Sequence, residues 1–121
     1  MRPLALMALL LSLGGCGHRV PAPVVAVPGG DPVRGRQVIE RYGCTGCHVI
    51  PGVDGPSTTV GPPLAGMAQR VFIAGVAPNT PDVMVRWLRD PPSVDTLTAM
   101  PMLGLSDAEA RDAAAFVYTL R

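Results

Sequence analysis

The pentapeptide Cys44-Thr45-Gly46-Cys47-His48 constrains the fold of this chain more than any other part of its sequence. Its spacing is that of covalent c-type haem attachment, in which each thiol adds to a vinyl group and the next residue supplies an axial imidazole. One turn of helical type sets two sulfurs along one edge of the porphyrin and aims the imidazole at the iron from one face. Cys44, Cys47 and His48 are therefore the predicted attachment sites and first iron ligand of one covalent haem c.

The same residues allow other interpretations. A thioredoxin-like redox pair belongs to a βαβ context, which the sequence lacks. A structural zinc site needs four ligands, and with Cys16 assigned to lipid (below) only His18 could supply the fourth. A disulfide between Cys44 and Cys47 remains open, but it leaves His48 unexplained.

The composition fits one small domain that a cofactor helps to fill. The chain has 121 residues, of which only five are aromatic, and a chain of this length buries little surface on folding. Its ten basic residues are all arginine and oppose nine acidic residues. Because no basic excess is left to neutralise a run of phosphates, we expect no nucleic-acid partner.

The N-terminus is predicted to direct export. Arg2 precedes an apolar run over residues 4–11, as in a signal peptide, and the run is much shorter than the roughly 20 apolar residues of a membrane span. The stretch Leu13-Gly14-Gly15-Cys16 resembles a bacterial lipoprotein box. We therefore expect a signal peptide over residues 1–15, lipid on Cys16, and anchoring at the periplasmic side of a bacterial membrane, with inner and outer membrane both open.

A Pro- and Gly-rich linker is expected over residues 16–30, followed by one domain over residues 31–121. Helix start and stop signals predict an all-α domain, with about four helices wrapped by long loops. No alternating pattern supports a sheet. The predicted helices lie at 31–43, near 64–72, from 80 to before 91, and at 106–120.

A methionine is expected as the second axial ligand. Beyond the signal peptide the chain has Met67, Met84, Met100 and Met102. Met100 is favoured because Pro101 keeps it extended and stiffens its loop. Core packing suits Met84, pocket lining suits Met67, and Met102 is the rival ligand. Two strong axial ligands leave no open position on iron, so the sequence predicts one-electron transfer without a small-molecule substrate or enzymatic turnover.

Residues 31–121 resemble a small class I, monohaem cytochrome c in its bacterial lipoprotein form. The order and spacing of several pieces carry the resemblance: Gly35-Arg36-Gln37-Val38, the pentapeptide after Tyr42-Gly43, Gly61-Pro62-Pro63-Leu64 with Arg70, Asn79-Thr80-Pro81 with Trp87, and Met100-Pro101 before the last helix. The middle stretch is also similar to the cytochrome c module of some haem-copper oxidase subunits.

The resemblance implies further site residues. Pro62 would accept a hydrogen bond from the ring N–H of His48 and fix the imidazole plane. Arg70 and Trp87 would approach the haem propionates, the first by charge and the second through its indole N–H. With Cys44, Cys47 and Met100 these residues complete the predicted haem site.

Three other expectations concern packing and docking. Gly35 would let the first helix cross closely over the last helix near Tyr118. The loop at residues 51–60 carries no known motif and is expected to cover one haem edge. The lysine-rich docking face of the family is absent, since the sequence has no lysine, so long-range charge steering of partners should be modest.

The predicted function is a lipid-tethered carrier of single electrons between respiratory redox proteins. An alternative is a haem subunit that accepts electrons inside a dehydrogenase or terminal oxidase complex. A third hypothesis is a gas sensor, in which Met100 leaves the iron and a gas binds in its place.

Overall fold

The computed structural model of the protein describes residues 24–121. The predicted signal peptide, the lipidation site Cys16 and the first part of the predicted linker lie outside the described residues. The described part contains three α-helices, α1 (Pro32–Arg41), α2 (Pro81–Arg89) and α3 (Asp107–Val117), and two short antiparallel strands, β1 (Phe72–Ile73) and β2 (Ala77–Pro78). None of these helices has the length and apolarity that a membrane crossing requires.

Local capping chemistry explains where α1 and α3 begin. The Asp31 carboxylate accepts hydrogen bonds from the amides of Val33 and Arg34, at 2.8 and 3.0 Å, and Pro32 occupies the first helical position without losing a bond. At α3, Ser106 and Glu109 form a reciprocal capping box. Both helix starts agree with the sequence prediction.

Helix α2 also forms where the sequence predicts it. It begins with Pro81 after Thr80 and ends at Arg89, just before the prolines that follow Asp90. Met84 and Val85 are its buried residues, so Met84 packs in the core as expected.

The helix expected near residues 64–72 was a wrong prediction. Only one 3₁₀ turn, Met67–Gln69, forms there, because Gly66 enters it at φ 69° and Arg70 leaves it in the extended region. The chain then makes the small hairpin, in which Phe72 pairs with Pro78 and Ile73 with Ala77. The all-α prediction missed this hairpin because two-residue strands are too short to show alternation.

The described core is built around the crossing of α1 and α3. Gly35 faces Asp112 and Phe116, and a Cβ atom at residue 35 would lie 2.8 Å from the Phe116 Cβ and closer still to the Asp112 backbone. Only glycine allows this approach. The close crossing agrees with the expectation for Gly35, but it lies at Asp112 and Phe116 rather than near Tyr118.

The end of the predicted linker belongs to the folded domain. Val27 is buried in the hydrophobic core, and the amide of Gly30 donates to the Val27 carbonyl at 3.0 Å. Gly30 lies so close to α3 that an added Cβ would come within 3.0 Å of the Ala115 Cβ. The last residues before the predicted boundary between 30 and 31 therefore pack against the domain.

A buried carboxylate ties α1 to α3. Asp112 accepts hydrogen bonds from the Nε and Nη2 atoms of Arg34 and from the Asp31 amide, each at 2.8 Å. These bonds satisfy a charge that would otherwise be costly to bury. The Arg34 hydrogen bond chiefly, with help from the Asp31 amide, lowers the pKa of Asp112 below its ordinary value, although burial opposes the shift.

This lowered pKa makes stability depend on acid pH. An unfolded Asp titrates near about 3.9, so the contribution of Asp112 is complete above that pH and is lost as pH falls through the lower folded-state pKa. The free energy of unfolding of the holoprotein is measured by denaturant titration between neutral and strongly acid pH. Asp112→Asn should lower this free energy at neutral pH, and the free energy should then fall less steeply as the solution is acidified. Asp54→Asn, which changes an exposed loop carboxylate, is the control. An unchanged acid slope in Asp112→Asn would contradict this role.

Candidate functional site

The pentapeptide forms a tight turn directly after α1. Gly43 takes a left-handed φ of 68° and is followed by the 3₁₀ turn Cys44–Gly46. The amides of Cys47 and His48 both donate to the Cys44 carbonyl, at 3.2 and 3.0 Å. This turn brings the two thiols and the imidazole to one wall of a cavity.

The cavity has a volume of about 520 Å³, which lies within the range of cofactor sites. It is lined by residues of the pentapeptide, the Pro62 loop, the β1–β2 hairpin, α2 and the loop before α3. All seven residues predicted to bind the cofactor line it: Cys44, Cys47, His48, Pro62, Arg70, Trp87 and Met100.

The orientation of His48 is fixed by the backbone across the loop. Its Nδ1 atom lies 2.8 Å from the carbonyl oxygen of Pro62. A carbonyl oxygen can only accept, so Nδ1 carries the proton and Nε2 keeps a lone pair for a metal. Gly61 makes this approach possible, since a Cβ there would lie 2.7 Å from Nδ1 of His48.

The donor set fits a porphyrin iron better than a bare metal ion. Among residues 24–121, no three His, Cys, Asp or Glu side chains are arranged to hold a metal by themselves, and His18, which a zinc site would need as its fourth ligand, lies outside the described residues. One imidazole and one thioether suffice for an iron whose other four donors belong to a macrocycle. The residues present therefore fit haem.

Both cysteines are free thiols in the structure, so the disulfide alternative is not formed. Each is half-buried and lines the cavity. Burial raises the pKa of the Cys44 thiol.

The four methionines occupy different places. Met100 and Met67 line the cavity, Met84 lies in the core, and Met102 is 60% exposed and lines a separate surface cleft. Met100 is held by the hydrogen bond from its amide to the Thr98 hydroxyl, at 3.1 Å. Met102, the alternative iron ligand in the sequence analysis, therefore lies outside the cavity.

Arg70 has a contact that the sequence did not predict. Its Nη2 atom donates to the carbonyl oxygens of Pro63 and Ala65. The side chain therefore braces the loop that holds Pro62, while its guanidinium lines the cavity. Trp87 is half-buried, packs against the core and also lines the cavity.

The Asn79 side chain joins three parts of the structure by hydrogen bonds, a role that the sequence did not predict. Its Nδ2 atom donates to the carbonyls of Met67 and Arg70, both at 2.9 Å, and its Oδ1 atom accepts from the Tyr118 hydroxyl at 2.8 Å. Burial raises the pKa of Tyr118 to about 12. These bonds tie one cavity wall to the end of α3. In the sequence, Asn79 stood out only as part of Asn79-Thr80-Pro81, one of the pieces that carry the resemblance described above.

The loop at residues 51–60 packs on the outside of the pentapeptide. Val53 enters the core, and Gly55 touches Thr45 so closely that an added Cβ would clash with its side chain. Val60 is the one residue of this loop that lines the cavity. Apart from Val60, the loop therefore packs against the pentapeptide turn and does not line the cavity.

Three matches with known proteins agree with one another. Residues 32–121 match the family model for cytochrome c. Over 88 residues the chain is 35% identical to a cytochrome c oxidase subunit 2 of Alkalihalophilus pseudofirmus, covering 73% of this chain but only 24% of that subunit. The fold matches the crystal structure of cytochrome c2 from Rhodobacter sphaeroides with a TM-score of 0.57 at 18% identity, covering 75% of this chain and 96% of the other. The predicted small cytochrome c fold is confirmed, and the chain spans about a quarter of the oxidase subunit's length.

The Asn79 contacts predict a stability effect. Asn79→Ala leaves the Tyr118 hydroxyl and the Arg70 carbonyl without their partner and removes one of the two hydrogen bonds to the Met67 carbonyl. Unsatisfied buried groups cost about 1–3 kcal/mol each, so we expect a loss of about 3 kcal/mol in the free energy of unfolding. Denaturant titration of the holoprotein measures this loss. Gln69→Ala changes an exposed residue of the neighbouring 3₁₀ turn and should change this free energy by less than about 0.5 kcal/mol. Equal losses in the two variants would contradict the role of Asn79.

Proposed function

The chain belongs to the cytochrome c family, and on that premise we propose that it carries single electrons on one covalent haem while a lipid on Cys16 holds it at the periplasmic side of a bacterial membrane. Family membership makes it a haem-binding electron-transfer protein that exchanges electrons with redox protein partners. The covalent linkage, the axial ligands and the anchor are the parts that the proposal adds.

The contact between His48 and Pro62 carries the proposal. It leaves Nε2 of His48 as the free donor in a cavity that also holds two free thiols and Met100. Cys44 and Cys47 would hold the group by adding their S–H bonds across its two vinyl groups. Haem, when bound there, supplies an iron that changes oxidation state by one electron.

Met100 is the proposed second ligand. It lines the same cavity as His48, its amide is anchored to Thr98, and Pro101 restricts the backbone that follows. A thioether favours ferrous iron and so raises the reduction potential. With His48 and Met100 both holding the iron, these residues would support electron transfer without a bound substrate.

Arg70 and Trp87 are proposed to meet the propionates. Both recorded hydrogen bonds of Arg70 use Nη2, which leaves the Nε and Nη1 hydrogens for a carboxylate. Trp87 presents an aromatic ring from α2 at the same cavity. A guanidinium and an indole N–H are suitable donors to carboxylates in a partly buried site.

The proposed tether is short. Val27 is buried in the domain core, so the tether ends there. It consists of the ten residues between Cys16 and Val27. At roughly 3.1 Å per residue for a Pro-rich chain, the domain would stay within about 30 Å of the lipid. This distance keeps the protein among membrane-bound redox partners.

A second candidate is a haem subunit of a larger oxidase or dehydrogenase complex. The identity to an oxidase subunit 2 favours this candidate. Co-purification with a larger complex after gentle detergent extraction would support the fixed subunit, whereas recovery of the protein alone would support the mobile carrier.

Expression in a host that attaches haem c tests the proposed cofactor site. The purified protein should gain the mass of one haem besides its lipid, and its reduced visible spectrum should survive acid-acetone extraction. The ferric absorption band of thioether-ligated iron should be lost in Met100→Ala and kept in Met102→Ala, the matched control outside the cavity. A colourless protein, or loss of the band only in Met102→Ala, would contradict the proposal.

A further inference from the structure

The surface cleft that Met102 lines is a second candidate site, between α2 and the start of α3. Its volume is about 750 Å³, which is within the range of small-molecule sites. No described residue lines both this α2–α3 cleft and the cavity that contains His48 and Met100. A ligand in the cleft would therefore leave the proposed haem site free.

Part of the cleft is apolar. Val85 and Leu105, which are 6% and 8% exposed, line it. The more exposed Met102 side chain lines it as well. Apolar lining with a few polar groups is typical of sites for organic ligands, so the cleft suits a molecule with a carbon skeleton better than an inorganic ion.

The rest of the lining carries charges of both signs in equal number. On α2, spacings of three and four residues place Asp82, Arg86 and Arg89 on one face of the helix. A ligand of one sign would meet as many repelling as attracting groups, whereas a ligand with both signs can place each beside its opposite. The charged lining residues are Asp82, Arg86, Arg89, Asp90, Asp107 and Arg111.

Several of these groups are not used within the domain. Asp107 accepts from Nη1 of Arg89 at 3.2 Å and from Nε of Arg111 at 2.6 Å. Within residues 24–121, the side chains of Asp82, Arg86 and Asp90 form no ion pair and no hydrogen bond. The cleft therefore offers guanidinium donors to an anion and carboxylate acceptors to an ammonium group.

The lining favours a primary ammonium group over a quaternary one. A carboxylate accepts hydrogen bonds from N–H groups, which a primary ammonium has and a quaternary ammonium lacks. Proteins recognise quaternary ammonium groups with aromatic faces, and none of the described residues that line the cleft is aromatic.

The end of the proposed tether lies against the cleft. Nη1 of Arg111 donates to the Pro28 carbonyl at 3.4 Å, and a Cβ atom at Gly29 would lie 3.7 Å from Cδ of Arg111. Only the ten residues between Val27 and Cys16 lead from this region to the proposed lipid. The anchor would therefore hold the cleft near a bilayer, where phospholipid headgroups are concentrated.

We propose that the α2–α3 cleft binds the headgroup of a phosphatidylethanolamine molecule of the membrane that holds the anchor. The phosphate lies beside the arginines, the primary ammonium lies beside Asp82 and Asp90, and the glycerol carbons contact Val85 and Leu105. This inference rests on the proposed anchor. Binding at the cleft would hold the domain in one orientation on the bilayer.

Titration with soluble headgroup compounds tests the site. The reduced, lipidated holoprotein in detergent micelles is titrated with glycerophosphoethanolamine and with glycerophosphocholine, which differs by three methyl groups on nitrogen. The methyl NMR signal of Met102 reports binding in the cleft, and that of Met84, in the core, is the internal reference. Glycerophosphoethanolamine should shift the Met102 signal saturably and bind at least about fivefold more tightly than the choline compound.

Two variants test the two charges of the ligand. Arg86→Gln should weaken binding of glycerophosphoethanolamine about tenfold. Its control, Arg36→Gln, removes an exposed arginine of α1 outside the cleft and should weaken binding by less than about twofold. Asp82→Asn should remove the preference for the ethanolamine compound, and its control, Asp54→Asn, should keep it.

Nanodiscs test whether the ligand comes from the membrane. The lipidated holoprotein is placed in discs of phosphatidylcholine alone or of phosphatidylcholine mixed with phosphatidylethanolamine. The Met102 signal should move in the mixed discs, and Arg86→Gln should abolish this movement while Arg36→Gln retains it.

Equal affinity for the two soluble compounds, or equal effects of Arg86→Gln and Arg36→Gln, would overturn the site. An unchanged preference in Asp82→Asn would overturn the placement of the ammonium group. Binding of the soluble compound without any difference between the discs would overturn the membrane lipid as the ligand. Each of these results leaves a haem-loaded, lipidated electron carrier intact, whereas a protein without lipid on Cys16 would overturn the proposed anchor.

Discussion

The hydrogen bond between His48 and the carbonyl of Pro62 is the interaction on which the site depends. It joins the two ends of an otherwise irregular loop, and two backbone bonds support it, from Gly61 to Cys47 and from Leu64 to Val49. The bond selects the imidazole tautomer and so decides which nitrogen can meet a metal. Without it, a half-buried histidine beside two thiols would have no fixed direction.

The sequence could reveal whatever is encoded locally. The starts of α1 and α3 were predictable because Asp31 and Ser106 act on amides two or three residues away. The pentapeptide was predictable because its spacing has a narrow chemical meaning. Met100 could be distinguished from Met84, because Met100 is followed by a proline whereas Met84 lies on the apolar face of a helix.

Features that depend on distant contacts stayed hidden. Tyr118 and Asn79 are 39 residues apart in sequence, and neither residue type predicts a contact with the other. The absent second helix has a similar cause, because Met67 and Ile73 lie in the core and line the cavity, and their burial needs no helical period. Val27 appeared to belong to a linker because its packing partners lie far along the chain.

The burial of Val27 has a consequence for how strongly partners need to bind. With the proposed lipid on Cys16, the short tether would confine the domain to a thin layer above the bilayer, and this confinement would raise the effective concentration at which it meets a partner in the same membrane. Contacts that would be far too weak in free solution are then occupied for much of the time, and they still release quickly. If the proposed lipid anchor is present, the tether makes encounters with membrane-bound partners frequent. The contact surface of the protein can then bind each partner weakly and release it quickly.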